Sequence, residues 1–429
     1  MNALHRGRWR AAFWLLASGL ALLAALRPAP AAAQVDIVWT PKVEVRFPDG
    51  VLITVPVPES LALRRLTVHL RPNASTQTYV GEMRIQNGIA RYVHDARAKP
   101  LPLFGLIYYW FEGETETGEH FTSASFTFIY EDNRFTWHRL DQPPLQVFWY
   151  QNDASVGEAA LNAGHIALQR AFVQWQGVWP PERTIRIYVY ATYQDWQTAI
   201  QYAPNWSGGH ADPAQAVVLV YGGMTPESRV ELQRKVAHEV AHIVLYENMN
   251  RLVGPGGYER LPWWLVEGIP SLAEPYPHPE YYLLLDEAAQ QNRLIPLAEL
   301  CNAQDVLGHD EAYVRLAYAE AASVTTHIHG RYGPAGLQSL LQAYGMGASC
   351  QDGPRQALGL SLNELEEEWR QAWDLYPKRD MGLLWATGIM AVVVSLPLLL
   401  MLVLRWLAPP ALPPADVDMD ADWAALPTD

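Results

Sequence analysis

Two histidines four residues apart, His238 and His242, flank a glutamate in the stretch Val236-Ala237-His238-Glu239-Val240-Ala241-His242. On a helix, positions i and i+4 stack on one face, so both imidazoles can grip a single metal ion. Glu239 comes one position after the first histidine, beside such an ion but poorly placed to join its coordination. A carboxylate there is suited to taking a proton from a water on the metal.

For this to work the segment must be helical, and its flanks predict that it is. Thr225-Pro226 offers a cap followed by proline at the first helical position, with Glu227 in the first turn where the dipole favours it. Val236, Val240, Ile243 and Val244 repeat at helical spacing and predict a buried stripe. The plainer reading is a core helix with two incidental histidines. Its difficulty is that half-buried imidazoles need polar partners of their own.

A third ligand must come from elsewhere in the chain. The three-histidine form needs glycine at 245 and histidine at 248, but these positions are Leu245 and Asn248. Further along lies Glu267, in Trp264-Leu265-Val266-Glu267-Gly268. This segment resembles the W-L-x-E-G-x-A segment of gluzincin peptidases, in particular the peptidase MA-like group and the zinc aminopeptidases. The resemblance implies Zn²⁺ held by His238, His242 and Glu267, with Glu239 as general base in peptide hydrolysis. It departs from the pattern at Pro270, where the family has alanine, so the second ligand helix is expected to start or kink just after Glu267. The resemblance also implies an acidic residue that orients a ligand histidine. Glu274 is the candidate, against the alternative of a solvated helix glutamate.

Further consequences follow from the same resemblance. Tyr313-Val314-Arg315-Leu316-Ala317-Tyr318 looks like the helix whose tyrosine donates to the oxyanion of the tetrahedral intermediate. Tyr318 matches that position best, with Tyr313 as the alternative and a core tyrosine as the plain reading. Residues 216–222, just before the metal helix, are expected to form the sheet edge along which a peptide lies. Gly222-Gly223-Met224-Thr225 is not the G-x-M-E-N segment of the zinc aminopeptidases, so nothing argues for amino-terminal trimming. His210 is read as a loop residue. His327 and His329, two apart on one helix, point in different directions and cannot share an ion.

The whole chain frames these residues. Its 429 residues suggest two or three domains, and half of them are apolar while 18% are charged. A formal charge of −14 argues against a nucleic-acid partner. A basic start, an apolar run from Ala11 to Leu26 and Ala31-Ala32-Ala33 predict a secretory signal over residues 1–33. Residues 35–140 read as short alternating strands, with Leu66, Val68 and Leu70 facing one way and Glu112 to Glu119 linking a long hairpin. The expected fold class is therefore α+β: an immunoglobulin- or fibronectin-like β-sandwich, then a zincin-like mixed α/β metallopeptidase domain over 144–376.

Cys301 and Cys350, an even pair in an exported chain, predict a disulfide. The uncharged stretch 382–404 is long enough to span a bilayer, and residues 407–429 form an acidic, Pro-rich tail. The tail imitates a calcium loop with Asp416, Asp418 and Asp420, but Ala421 and Pro427 replace the needed glycine and glutamate. The expectation is a single-pass membrane protein whose catalytic part lies outside the cytoplasm and acts on a peptide or protein. The alternative is a catalytically silent relative serving in adhesion or as a scaffold. An intramembrane protease also uses His-Glu-x-x-His, but Arg229, Arg234 and Lys235 crowd the motif's helix and no apolar twenty-mer contains it.

Overall fold

The computed structural model describes residues 38–73, 75–177, 180–200, 208–375, 395–397, 399–403 and 406. The expected signal segment, most of the 382–404 stretch and the acidic tail lie outside the described residues. Among the described residues no helix is long and apolar enough to cross a membrane. The chain divides into two compact units, Met1–Glu366 and Glu367–Asp429. The second holds the end of the last long helix and the exposed helical residues 395–397 and 399–403.

The architecture is mixed α+β, with sheets first and a helical region after them. The strands before the first helix are β1 (Lys42–Arg46), β2 (Gly50–Pro56), β3 (Leu63–Pro72), β4 (Tyr79–Glu82), β5 (Arg84–Gln86), β6 (Ile89–Asp95), β7 (Leu106–Thr115), β8 (His120–Thr122), β9 (Phe126–Ile129), β10 (His138–Gln142) and β11 (Leu145–Trp149). Strands β1-β2-β6-β5 make one antiparallel sheet, and β4-β3-β7-β8 a second in which β9 also pairs with β7. The alternation read in the sequence is real: Leu66, Val68 and Leu70 are fully buried and share one core with Val51, Ile53 and Val55 of the other sheet. The expected link at Glu112–Glu119 is shorter than anticipated. Strand β7 runs on to Thr115, because Phe111 and Gly113 still face inward and β8 pairs with Glu112–Glu114.

The third sheet has the order β10-β11-β12-β14-β13, with β12 at Ile185–Tyr190, β13 at Gly209–Asp212 and β14 at Val217–Tyr221. Its middle strands β11, β12 and β14 are parallel, and antiparallel strands flank them. The expectation that 216–222 would be the edge is overturned, since β14 lies between β12 and β13. A strand buried on both faces reads as an unbroken apolar run, and Val217-Val218-Leu219-Val220 is one. The edge falls instead to the short, polar β13, which carries His210, so that histidine is a strand residue and not a loop residue.

The helices are α1 (Ala154–Trp175), α2 (Tyr193–Ile200), α3 (Pro226–Val253), α4 (Trp263–Ser271), α5 (Tyr281–Gln290), α6 (Ala303–Leu307), α7 (Glu311–Gly345), α8 (Gly353–Leu358) and α9 (Leu362–Leu375). Helices α1 and α3 pack together below the third sheet. Helix α3 begins where predicted: Thr225 accepts from the Ser228 N–H and Ser228 reciprocates, with Pro226 at the first helical position. Gly222 and Gly223, both at positive φ, make the turn from β14 into that helix. Helix α7 bends at Gly333, where φ is 67° just before Pro334. Cys301 and Cys350 are joined, linking the turn before α6 to the segment between α7 and α8.

Candidate functional site

Helix α3 carries His238, Glu239 and His242 on its face towards a cleft of about 630 Å³. Its opposite side is held by the predicted stripe, since Val236, Val240, Ile243 and Val244 are all buried. Short helix α4 supplies Glu267. Pro262 precedes it and Pro270 sits in its last turn, but the helix runs unbroken from Trp263 to Ser271, so it neither starts nor kinks just after Glu267 as expected: a proline this near the end costs one helical hydrogen bond at most. Gly268 lets α4 lie directly on α7, for an added Cβ would fall 2.0 Å from Thr325 Oγ1 and 2.5 Å from the Ala321 carbonyl oxygen. That close approach sets the depth at which Glu267 enters the cleft.

The three side chains converge. His238, His242 and Glu267 each offer a ligand atom, and these atoms all lie within 4.8 Å of one another. Glu267 Oε2 is 3.5 Å from His238 Nε2 and 3.6 Å from His242 Nε2. A tetrahedral ion with bonds of about 2.0–2.1 Å separates its ligands by roughly 3.3 Å, so this group fits one with little adjustment. The other ring nitrogens are already engaged. His238 Nδ1 lies 2.8 Å from Glu274 Oε1, and the Tyr258 hydroxyl is 3.4 Å from His242 Nδ1. Each ring therefore turns Nε2 towards the shared point.

Glu274 is itself anchored. Arg234 Nη1 donates to Glu274 Oε2 at 3.2 Å, while Arg170 of α1 donates to the backbone carbonyls of Glu274 and Pro275. Its carboxylate is buried, which overturns the reading of a solvated helix residue. Burial works against charge on His238, but hydrogen bonds to Glu267 and Glu274 overcome it and raise its pKa to about 10 in the metal-free chain. Burial likewise opposes charge on Glu267, yet His242 and His238 bring its pKa down to about 2. A cationic His238 ring beside an ionised Glu267 carboxylate is the metal-free form of a site that a divalent ion would occupy.

Glu239 is buried beneath edge strand β13. An added Cβ at Gly209 would fall 2.6 Å from Glu239 Oε1, so only glycine lets the strand cross so close to this carboxylate. Tyr318 lines the same cleft, its ring edge-on to Trp263 at 5.0 Å. Burial pushes its phenol well above the ordinary value, and Glu267, Tyr281 and Glu239 add to the effect, so it stays a neutral donor. Tyr313, the alternative, is not at the cleft: its hydroxyl faces Glu299 at 3.4 Å. Along α7 the cleft is lined by Glu311, Arg315 and Tyr318, which share one helical face.

Two contributors had escaped the sequence reading. Tyr258 lies on a single 3-10 turn between α3 and α4, where no periodicity marks it. Lys235 lies one turn before Glu239, and in the sequence it served only as a charge near the motif. Burial lowers the Lys235 pKa to about 8, against the pull of Glu231 and Glu239.

Comparison with known proteins bears on the same region of the chain. Residues 167–374 match the family model described as Peptidase MA superfamily, a span that holds both metal-site helices and Tyr318. No curated protein matches the chain. One solved structure, titled "Crystal structure of Br derivative BhCBM56", is similar at 24% identity over 21% of this chain and 90% of that chain, with a TM-score of 0.18. A likeness that slight says nothing of this chain's fold or chemistry. What the family match supports is a peptidase MA-like domain within residues 167–374, with a His-His-Glu group that could hold a metal ion.

Proposed function

We propose that this protein is a zinc metallopeptidase of the gluzincin type, hydrolysing peptide bonds in a peptide or protein substrate. The observation that carries the reading is the meeting of His238, His242 and Glu267 around one point with Glu239 beside them. Two imidazoles and a carboxylate without thiolate suit zinc, and three protein ligands are the count of a catalytic site. When bound, zinc would lower the pKa of a water towards neutrality and polarise the substrate carbonyl.

The chain's own groups would do the rest. Glu239 accepts the proton of the attacking water and passes it to the leaving amine. Tyr318, neutral and aimed into the cleft, donates to the oxygen that becomes negative at the tetrahedral stage. Glu274 and Tyr258 hold the two histidine rings with Nε2 inwards. Among the described residues β13 is the edge strand of its sheet, and an extended substrate can lie along it, passing over Glu239 at Gly209.

We also propose that the two antiparallel sheets are an immunoglobulin- or fibronectin-like sandwich supporting the catalytic part. The enzyme would work outside the cytoplasm, exported by residues 1–33 and tethered by 382–404. The Cys301–Cys350 disulfide supports an oxidising compartment.

The test is Glu239→Gln in the full chain. Zinc content should stay near one per chain, while cleavage of a peptide pool falls by about 10²–10⁴-fold. Chelator should abolish wild-type cleavage. Equal inertness of both proteins, with zinc bound to each, would remove the enzyme reading and leave a silent scaffold.

A further inference from the structure

Resting on the peptidase reading, we propose that Lys235 is a specificity-determining cation that binds a carboxylate of the substrate, within about two residues of the cleaved bond. Among the described residues, three Lys and Arg side chains line the cleft: Arg234, Lys235 and Arg315. Arg234 is bonded to Glu231 and Glu274, and Arg315 is paired with Glu280 and Glu311. Among the described residues, Lys235 has no carboxylate at ion-pair distance. Its Nζ lies instead 3.6 Å from the centre of the Tyr221 ring, with Glu231, Arg234 and Glu239 acting on it at longer range. A half-buried ammonium held only by an aromatic face has lost water without gaining the charge-assisted bonds that would replace it. A ligand carboxylate would supply them.

Position makes that ligand the substrate. Gly208 and Gly209 are consecutive where edge strand β13 begins, and each lies against one of the two helix residues. An added Cβ at Gly209 would meet the Glu239 carboxylate, and one at Gly208 would come within 3.1 Å of Lys235 Cε. Positions 235 and 239 are separated by a helical rise of about 6 Å, the length of one to two residues in an extended chain. A peptide added along β13 with its cleaved bond at Glu239 therefore presents a nearby group to Lys235. That group is either an acidic side chain or a free carboxy terminus, since both carry the same anion.

Matched peptides separate these sources. One pair, capped at both ends, differs by Asp against Asn beside the cleaved bond. A second pair, without internal acids, ends in a free carboxylate or an amide. The zinc-loaded full chain and its Lys235→Met and Lys235→Arg variants are compared by kcat/KM on each pair, and by fluorescence anisotropy with labelled copies. Wild type should prefer the anionic member of one pair by roughly tenfold or more. Lys235→Met should bring that ratio close to one, and Lys235→Arg should keep most of it. The pair that responds identifies the source. A wild-type protein indifferent to both anions, or a preference that survives in Lys235→Met, overturns the proposal. If nothing is cleaved the peptidase reading falls, and the anisotropy ratios still decide the role of Lys235. Should Lys235→Met fail to fold, Lys235→Gln takes its place in the same comparison.

Discussion

At the scale of the residue, the site is a set of opposed charges held where solvation is poor, and its pH behaviour follows. His238 is raised from 6.5 to about 10, so its contribution to folding is complete below pH 6.5 and disappears as pH climbs towards 10. Glu267 is lowered from 4.5 to about 2, so its contribution is complete above pH 4.5 and disappears as pH falls towards 2. For the metal-free chain the two groups together favour the window between those unperturbed values. A divalent ion needs unprotonated imidazoles, so loading it releases protons and moves the favoured window upwards. Thermal midpoints measured against pH, with chelator and with zinc, should show this displacement; a metal-free midpoint that still rises from pH 6.5 to 9 would contradict it. Glu274→Gln keeps the shape of the side chain that fixes the His238 ring but removes its charge. Zinc affinity should weaken by about 10–100-fold by competition with a chromophoric chelator, with Glu239 still in place.

At the scale of the element, two helices must meet at one depth, and Gly268 is the contact that allows it. In Gly268→Ala the new methyl would strike Thr325 and the Ala321 carbonyl, neither of which is the free end of a flexible chain. Helix α4 would have to lift from α7, taking Glu267 away from the histidines. The expected cost is about 1–3 kcal/mol in denaturant unfolding, together with a zinc stoichiometry well below wild type. Normal zinc binding in the variant would show that Glu267 does not depend on this contact. The same elements explain what could be read in advance. Helix α3 announces itself through its cap, its proline and its apolar stripe, and the order of its ligands is visible as spacing. Glu274 was legible only as an acid on the right segment, because its burial depends on Arg234 and Arg170 from other helices. Strand β13 was missed because four residues of Gly-His-Ala-Asp carry no alternation, and apolar β14 looked like the better strand.

At the scale of the whole molecule, the strand-rich region and the third sheet are not joined as beads on a thread. Their buried side chains form one continuous cluster, with Tyr188, Tyr190, Val217 and Leu219 of the third sheet packed among those of the first two. Alternation in a sequence says that a strand has an inner face, but not which surface that face will meet, so this seam was invisible beforehand. Its centre is Phe104, 2% exposed, stacked on Tyr188 at 3.5 Å and edge-on to Trp137 at 5.9 Å. Beside it a buried Asp132 accepts from Arg134 and from the Tyr190 hydroxyl, tying the same two regions by charge-assisted bonds. Phe104→Ala touches no residue of the metal site, yet it opens a cavity between the regions and should cost about 3–5 kcal/mol. If the seam makes them one cooperative unit, zinc release and loss of the near-ultraviolet aromatic signal should move together to a lower temperature. Two separated transitions, with zinc release unmoved, would mean that the region around the candidate metal site folds without its neighbour and that the shared core only rests against it.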